Sequence, residues 1–556
     1  MALADTRSAR RAGPARDEGT RHLCAAAHLS RDFADAALRE LLVVPTRPAA
    51  PTPGVDTAAV LTEALAARLR TDVVDVLVLV LLALTVYFVM PLAVLWITVA
   101  LLLSLPKLIR LWLAARARRG TRPIRPVRLG VTVLTVVLSL GPALTTFGSD
   151  ADTEDIVEAA FEDVTGLVLL GAALAVLLAN RLVIAHHVTA RFGRAGGSAP
   201  PPVDRVLLRL APARHARIAE RHGDRVRTAP DVSEEDGLVP LLVHRGYQPF
   251  VGAGDIHEPW TVAVPLERSG TSRTDVTLST ATLLEGITAK VSDLRAATPL
   301  APGGRLGALR VDDFVVVAAQ GLVDHLPDPV SAHYLRRPGE APYTHVSRAH
   351  ADELRDHPLE WSRYYRRFSL ETWDGDLVLS VFVHVAMDES TLYLEWTPCV
   401  LRPINAELRS VDAGPASPWT PVGRAVKDLV LLPASTLSRV VRLANHPRAR
   451  ARAGTRVDAD AYGASVTLRE MAADVELHSY FQQADVERYT HLLRTRVTLA
   501  VAGILRDAGY RTSSFDQQAA SIVNNTVNTV TVADGGTLTG HVLQTGSLTG
   551  DVDITG

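Results

Sequence analysis

The chain has 556 residues, enough for two or three domains. Hydrophobic residues make up 47% of it and the formal net charge is −2, which argues against bulk nucleic-acid binding. Cys24 and Cys399 are the only cysteines, so a cysteine-built zinc site is excluded, and both fall in regions expected to face the cytoplasm, where disulfides are disfavoured.

Residues 1–70 read as a polar, arginine-rich cytoplasmic tail without a cleavable signal peptide. His22 to Leu42 suits one or two amphipathic helices with Leu23, Leu29, Phe33, Ala37 and Leu41 on the apolar face. His22, Cys24 and His28 are metal-ligand types at close spacing, but no fourth ligand accompanies them, and chance placement on a helix is the simpler account. Pro45 to Pro53 reads as a stiff connector.

Residues 71–190 read as a transmembrane block. Val76 to Leu105 holds no formal charge, and a hydrocarbon core about 30 Å thick needs roughly 20 apolar residues in a helix. The run is long for one span and short for two. Pro91 disfavours helical geometry at Met90, so the expected arrangement is two helices, 72–90 and 92–114, with a single tilted helix or a re-entrant loop as the alternative. Arg68 and Arg70 on one flank and Lys107, Arg110, Arg116, Arg118 and Arg119 on the other favour the hairpin, because the positive-inside rule then places both clusters in the cytoplasm. Further spans are expected at 127–147 and 165–188, joined by an acidic loop around Ser149 to Asp163 that suits the outer face. Asp72, Asp75, Asn180 and Arg181 stand at span ends, where placement at the membrane interface explains them. Both termini then face the cytoplasm of a bacterial inner membrane.

Residues 191–235 read as a linker with a basic helix over Val203 to Gly223. Residues 236–515 read as a cytoplasmic α+β domain. Its strongest signal is a β-meander: Phe368 to Trp373, the tight-turn pair Asp374-Gly375, Leu377 to Val385, and Thr391 to Trp396. Strands are also expected at Trp260 to Leu266 and Leu309 to Ala318. Helices are expected over Val422 to Asn445, Leu468 to Phe481, and Ala484 to Ala508 with Gly509 as its C-cap.

The motifs that carry chemistry are missing from this domain. The sequence contains no G-x-x-x-x-G-K-[ST], no H-E-x-x-H and no G-x-S-x-G. Gly252-Ala253-Gly254 lacks the third glycine of a dinucleotide fingerprint and reads as a loop. Asp312 and Asp313 are adjacent on a strand and point to opposite faces, so they do not form a catalytic pair. The expectation is therefore a non-enzyme with no catalytic residue, metal or cofactor. An enzyme or small-ligand sensor in residues 236–515, with the tail as a β-solenoid cap, is the alternative.

Residues 516–556 form a β-repeat tail. Lys and Arg disappear, and Thr537 to Gly546 is followed by a second copy, Ser547 to Gly556, in the frame [ST]-L-T-G-x-V-x-x-T-G. Glycines with β-branched residues between them fit short strands joined by tight arches, stacked within a chain or between chains as cross-β. The segment from Gly540 to Val552 resembles the bacterial amyloid signalling motifs related to the RIP homotypic interaction motif. Leu543-Gln544-Thr545-Gly546 occupies the position of the motif's apolar-Gln-small-Gly core, with Thr545 where the animal version carries an aliphatic residue. The resemblance implies homotypic assembly with itself or with a partner bearing a like tail, carried by Val542, Leu543, Gln544 and Gly546, and a signalling or cell-death role at the lipid bilayer.

Overall fold

The computed structural model describes residues 18–44, 46–48, 50–117, 164–193, 202–223, 227–229, 232, 237–269, 278–296, 306–413, 417, 419–452 and 458–525. Within these, a helical N-terminal region with two long apolar helices precedes a mixed α+β domain built on an eight-stranded open sheet. The span expected at 127–147 and the tail residues Val542, Leu543, Gln544 and Gly546 lie outside the described residues.

Helix α1 (Glu18–Leu29) and helix α2 (Arg31–Leu38) meet at Ser30, whose side chain accepts the Phe33 N–H at 3.3 Å and so caps α2. Helix α3 (Thr57–Phe88) starts at Asp56, which accepts from the Ala59 N–H at 3.0 Å. At 1.5 Å per residue this helix is about 48 Å long, more than a hydrocarbon core of about 30 Å requires. It begins fifteen residues before the expected span, and that extra length packs against α1 and α2. Residues 18–70 are thus no free tail: Leu23, Phe33, Leu41, Leu61 and Leu65 are all buried in one cluster.

Val89 leaves helical geometry (φ −134°), and helix α4 (Met90–Ala117) restarts with Pro91 in its first turn, where proline costs nothing. Trp96 shares an apolar cluster with Val78 and Leu82, so α4 turns back beside α3. Helix α5 (Val164–Phe192) packs along α3. Among the described residues, α3 and α5 are the helices long and apolar enough to cross a membrane.

The basic stretch after α5 is two helices, α6 (Pro202–Arg209) and α7 (Pro212–His222), rather than one, because Pro212 starts a new helix. The sheet then assembles from β1 (Leu238–His244), β2 (Asp255–Ile256), β3 (Trp260–Pro265), β4 (Arg310–Ala318), β5 (His345–Ser347), β6 (Ser362–Thr372), β7 (Leu377–Met387) and β8 (Thr391–Leu401). The order is β2-β8-β7-β6-β4-β1-β5, with β3 also on β8. Only the β1–β4 pairing is parallel. The expected meander is β6–β7–β8. Its first turn carries Trp373, Asp374 and Gly375 at positive φ. β7 lies mid-sheet and is buried from Leu377 to Val385, the pattern of a strand covered on both faces. One face carries α8 (Thr280–Ser292), α10 (Arg348–Asp356) and α15 (Tyr480–Asp507), with the short α9 (Ala319–Asp324) following β4. The other face holds Phe250, Phe314, Tyr365 and Phe382.

Two expected helices differ. Val422 to Asn445 is split at Leu431 into α11 (Thr420–Val430) and α12 (Leu432–Arg452), with Pro433 in the opening turn of the second. After α13 (Ala459–Tyr462), the stretch Leu468 to Phe481 is broken: α14 (Leu468–Met471) is opened by a capping box between Thr467 and Glu470, and helix resumes only at Tyr480. Ser479 then caps a fresh start for α15, which ends before Gly509 at φ +81°. Helix α16 (Ser513–Asn525) completes the described chain.

Candidate functional site

Charge concentrates where the apolar helices meet the rest of the molecule. His28 at the end of α1, Glu63 in α3, His187 near the end of α5 and Asp204 in α6 bring one ligand-type atom each to within 4.8 Å of one another, and all four residues are buried. The small side chains of Ala25, Ala26 and Ala27 let α1 approach closely. His28 Nε2 lies 3.0 Å from Glu63 Oε2. His187 Nε2 lies 3.6 Å from the same oxygen and 3.7 Å from Asp204 Oδ2, beyond hydrogen-bonding distance of either. The two imidazoles meet edge to face at 4.7 Å, with Phe192 against both.

Two histidines and two carboxylates are a donor set suited to zinc or a related divalent ion. The surrounding arginines argue otherwise. Arg191 Nη1 sits 2.7 Å from Glu63 Oε1, and Arg70 Nη1 sits 3.2 Å from Asp204 Oδ1. Two cations thus already balance two carboxylates. Arg70 Nη2 also lies 2.8 Å from His28 Nδ1. A guanidinium only donates, so Nδ1 accepts and Nε2 carries the proton that goes to Glu63. A metal would need Nε2 bare. Burial also pushes the His28 pKa below its usual range, which keeps the ring neutral. The arrangement is a closed, charge-balanced network that a cation could enter only by displacing Arg70.

A second layer of ion pairs joins the apolar helices to the α+β domain. Asp75 of α3 is fully buried and meets Arg439 and, at 3.0 Å, Arg442 of α12. Arg181 of α5 meets Asp428 of α11, with Nε at 2.9 Å. Arg68 bridges Asp35 and Asp72. Arg21 and His22 of α1 hold Asp412 at 2.6 and 2.7 Å. Trp96 Nε1 donates to the Leu429 carbonyl at 3.1 Å, where α11 gives way to α12.

Asp75 and Arg181, which the sequence placed at the membrane interface, are therefore docking points, whereas Asp72 pairs with Arg68 one turn earlier on α3. The signal for them was a set of acids and bases crowded at the ends of apolar runs; their partners, hundreds of residues later, left none. Other candidates are absorbed by the fold. The N–H groups of Gly252 and Gly254 point to Glu470 Oε1 at 2.7 and 3.1 Å, so that loop is filled by the chain's own carboxylate. Asp313 meets Arg348 and Arg366, while Asp312 meets Arg367 on the opposite face of β4. Cys24 and Cys399 are buried and are not joined in a disulfide. His333 and His350 stack at 4.0 Å, and Tyr334 links His350 to Ser362 inside the core.

These features define an α+β open-sheet domain docked through buried ion pairs onto a bundle that carries long apolar helices. The chain belongs to the family described as the AbeC-like domain, whose profile matches residues 259–539. No curated protein and no solved structure matches it. The matched stretch contains Asp412, Asp428, Arg439 and Arg442 but none of their partners on α1, α3 and α5, so the docking pairs cross its boundary.

Proposed function

We propose that this chain is a multi-pass inner-membrane signalling protein whose cytoplasmic AbeC-like domain is switched by homotypic assembly of its C-terminal amyloid-like motif. Anchoring is supported by the apolar side chains that α3 and α5 present outward, including Val76, Leu77, Val80, Leu84, Leu167 and Val168. A surface of that kind suits acyl chains rather than water. The single observation that carries the signalling role is the tandem repeat over Thr537 to Gly556 with Leu543-Gln544-Thr545-Gly546 at its centre. Assembly of tails would raise the local concentration of the attached domains at the membrane, as tethering does. Gln544 would ladder along the stack, Val542 and Leu543 would form the dry interface, and Gly546 would make the arch.

The test uses the full-length protein in detergent or membranes, with Leu543→Pro as control. Wild-type protein should bind thioflavin and give a fibre reflection near roughly 4.7 Å, and the variant should do neither. A wild-type chain that stays unassembled would remove the signalling role and return attention to residues 236–515 as an enzyme or ligand sensor.

A further inference from the structure

One arginine in the junction has no anion of its own. Arg31, Arg68, Arg70, Arg181, Arg442 and Asp35 line an open crevice between α1–α2, α3, α5 and α12. Arg68, Arg70, Arg181 and Arg442 are engaged by Asp35, Asp204, Asp428 and Asp75 respectively. Arg31 makes no hydrogen bond or ion pair among the described residues. The charges around it are Asp75, already shared by two arginines, and the cations Arg181, Arg439 and Arg442; burial and these cations weaken its hold on the proton. It also stands at the first position of α2, an unfavourable place for a cation. A part-buried guanidinium whose nearest carboxylate is already shared with two other arginines is under-compensated, and an anion in the crevice would remove that cost.

Position identifies the anion's source. On α3 the crevice ends at Arg68 and Thr71, and the exposed apolar side chains Val73, Val76 and Leu77 follow directly. On α5 it lies at Arg181 and Ile184, beside exposed Leu182. Leu29, on its rim, is itself exposed. The arginines therefore sit at the boundary between acyl-chain and polar surface, the level of lipid phosphates. We infer that this crevice binds the phosphate group of an anionic lipid headgroup, with Arg31 supplying the under-compensated charge. The inference rests on the reading that α3 and α5 span the membrane.

The experiment places full-length protein in nanodiscs of phosphatidylcholine alone or with added phosphatidylglycerol. Lipid retention is followed by native mass spectrometry, and stability by thermal unfolding. Phosphatidylglycerol should be retained at least tenfold better than phosphatidylcholine and should raise the melting temperature. Arg31→Gln should abolish both effects and Arg31→Lys should keep part of them. In phosphatidylcholine alone Arg31→Gln should melt no lower than wild type, since it loses an unpaired charge; a lower melting temperature there would mark Arg31 as structural and overturn the assignment. Equal stabilisation by inorganic phosphate in phosphatidylcholine discs would overturn the lipid source, and indifference to headgroup would overturn the site. Release of the chain from membranes by alkaline carbonate would overturn the membrane reading and this inference together, whereas a retained but indifferent chain sinks only the inference.

Discussion

Asp75 and Arg439 lie 364 positions apart in sequence and touch inside the protein, with Asp75 fully buried and Arg439 nearly so. Arg442 approaches the second carboxylate oxygen. The pair fixes α12 to α3. Its cost of desolvation is offset only while all three charges are present. Asp75→Asn would leave two buried guanidinium groups facing each other. The expected loss is about 3–5 kcal/mol, the range for breaking a buried pair, read as a lower melting temperature and faster proteolysis of α11–α12 in detergent-purified protein.

Exposure should reverse that outcome elsewhere. Arg310 and Glu371 lie 3.5 Å apart with 67% and 36% of their side chains exposed. Water screens such a pair, and Glu371→Gln should change stability by no more than roughly 1 kcal/mol. Denaturant melts of this variant and of Asp75→Asn, run side by side, would measure the contrast.

Acid should weaken the fold through buried imidazoles. His222 Nε2 faces the Leu41 carbonyl at 3.0 Å, and burial, reinforced by Arg221 and Arg227, pushes its pKa down to about 4. The neutral ring is the native form, donating from Nε2. Below its ordinary pKa of about 6.5 the unfolded ring takes a proton that the folded ring refuses. The contribution is thus complete above about pH 6.5 and is lost as pH falls toward 4. His28 is shifted in the same direction. His222→Gln keeps a donor for Leu41 and should flatten the melting temperature between these limits; an unchanged pH profile would count against a buried neutral His222.

Gly254 is expected to tolerate no side chain. It sits at φ +88°, and a Cβ there would lie 2.2 Å from the Val400 carbonyl oxygen. Positive φ alone costs a non-glycine residue about 1–3 kcal/mol, and the clash adds to it. Gly254→Ala should lower stability by more than Gly246→Ala, where φ is +82° but the space is open. Thermal melts of the two variants separate strain from contact.

Chelation tests the histidine–carboxylate cluster. Since Arg70 and Arg191 neutralise Asp204 and Glu63, EDTA should leave the melting temperature unmoved. Stoichiometric zinc retained through purification would show instead that Arg70 releases His28 Nδ1 in solution.

The meander β6–β7–β8 was legible because alternation and the Asp374-Gly375 turn are local signals, and α15 because its apolar period ends at Gly509. β1 was not legible: Pro240 interrupts its apolar run and argues against a strand. It is tolerated because β1 pairs with β5 only over Leu238 to Pro240 and reaches β4 from Leu241 onward. The junction was half legible. Arg68 and Asp72 find each other one turn apart on α3, but Asp75 and Arg181 announce charge at the ends of apolar runs with no local partner, and such a sequence favours the membrane interface for them. What α12 supplies depends on tertiary placement that no window of residues contains.

The separation of Asp75 from Arg439 also sets a schedule. A ribosome adding roughly 5–20 residues per second needs about 20–70 s to make the intervening chain. For that interval α3 is complete and its carboxylate has no guanidinium. A charge deep in the bilayer would then work against insertion, whereas one at the margin can wait in the hydrated interface. On the proposal that α3 enters a bilayer, the location of Asp75 immediately before the uncharged stretch, rather than at its middle, would allow the anchor to be laid down before its lock is synthesised.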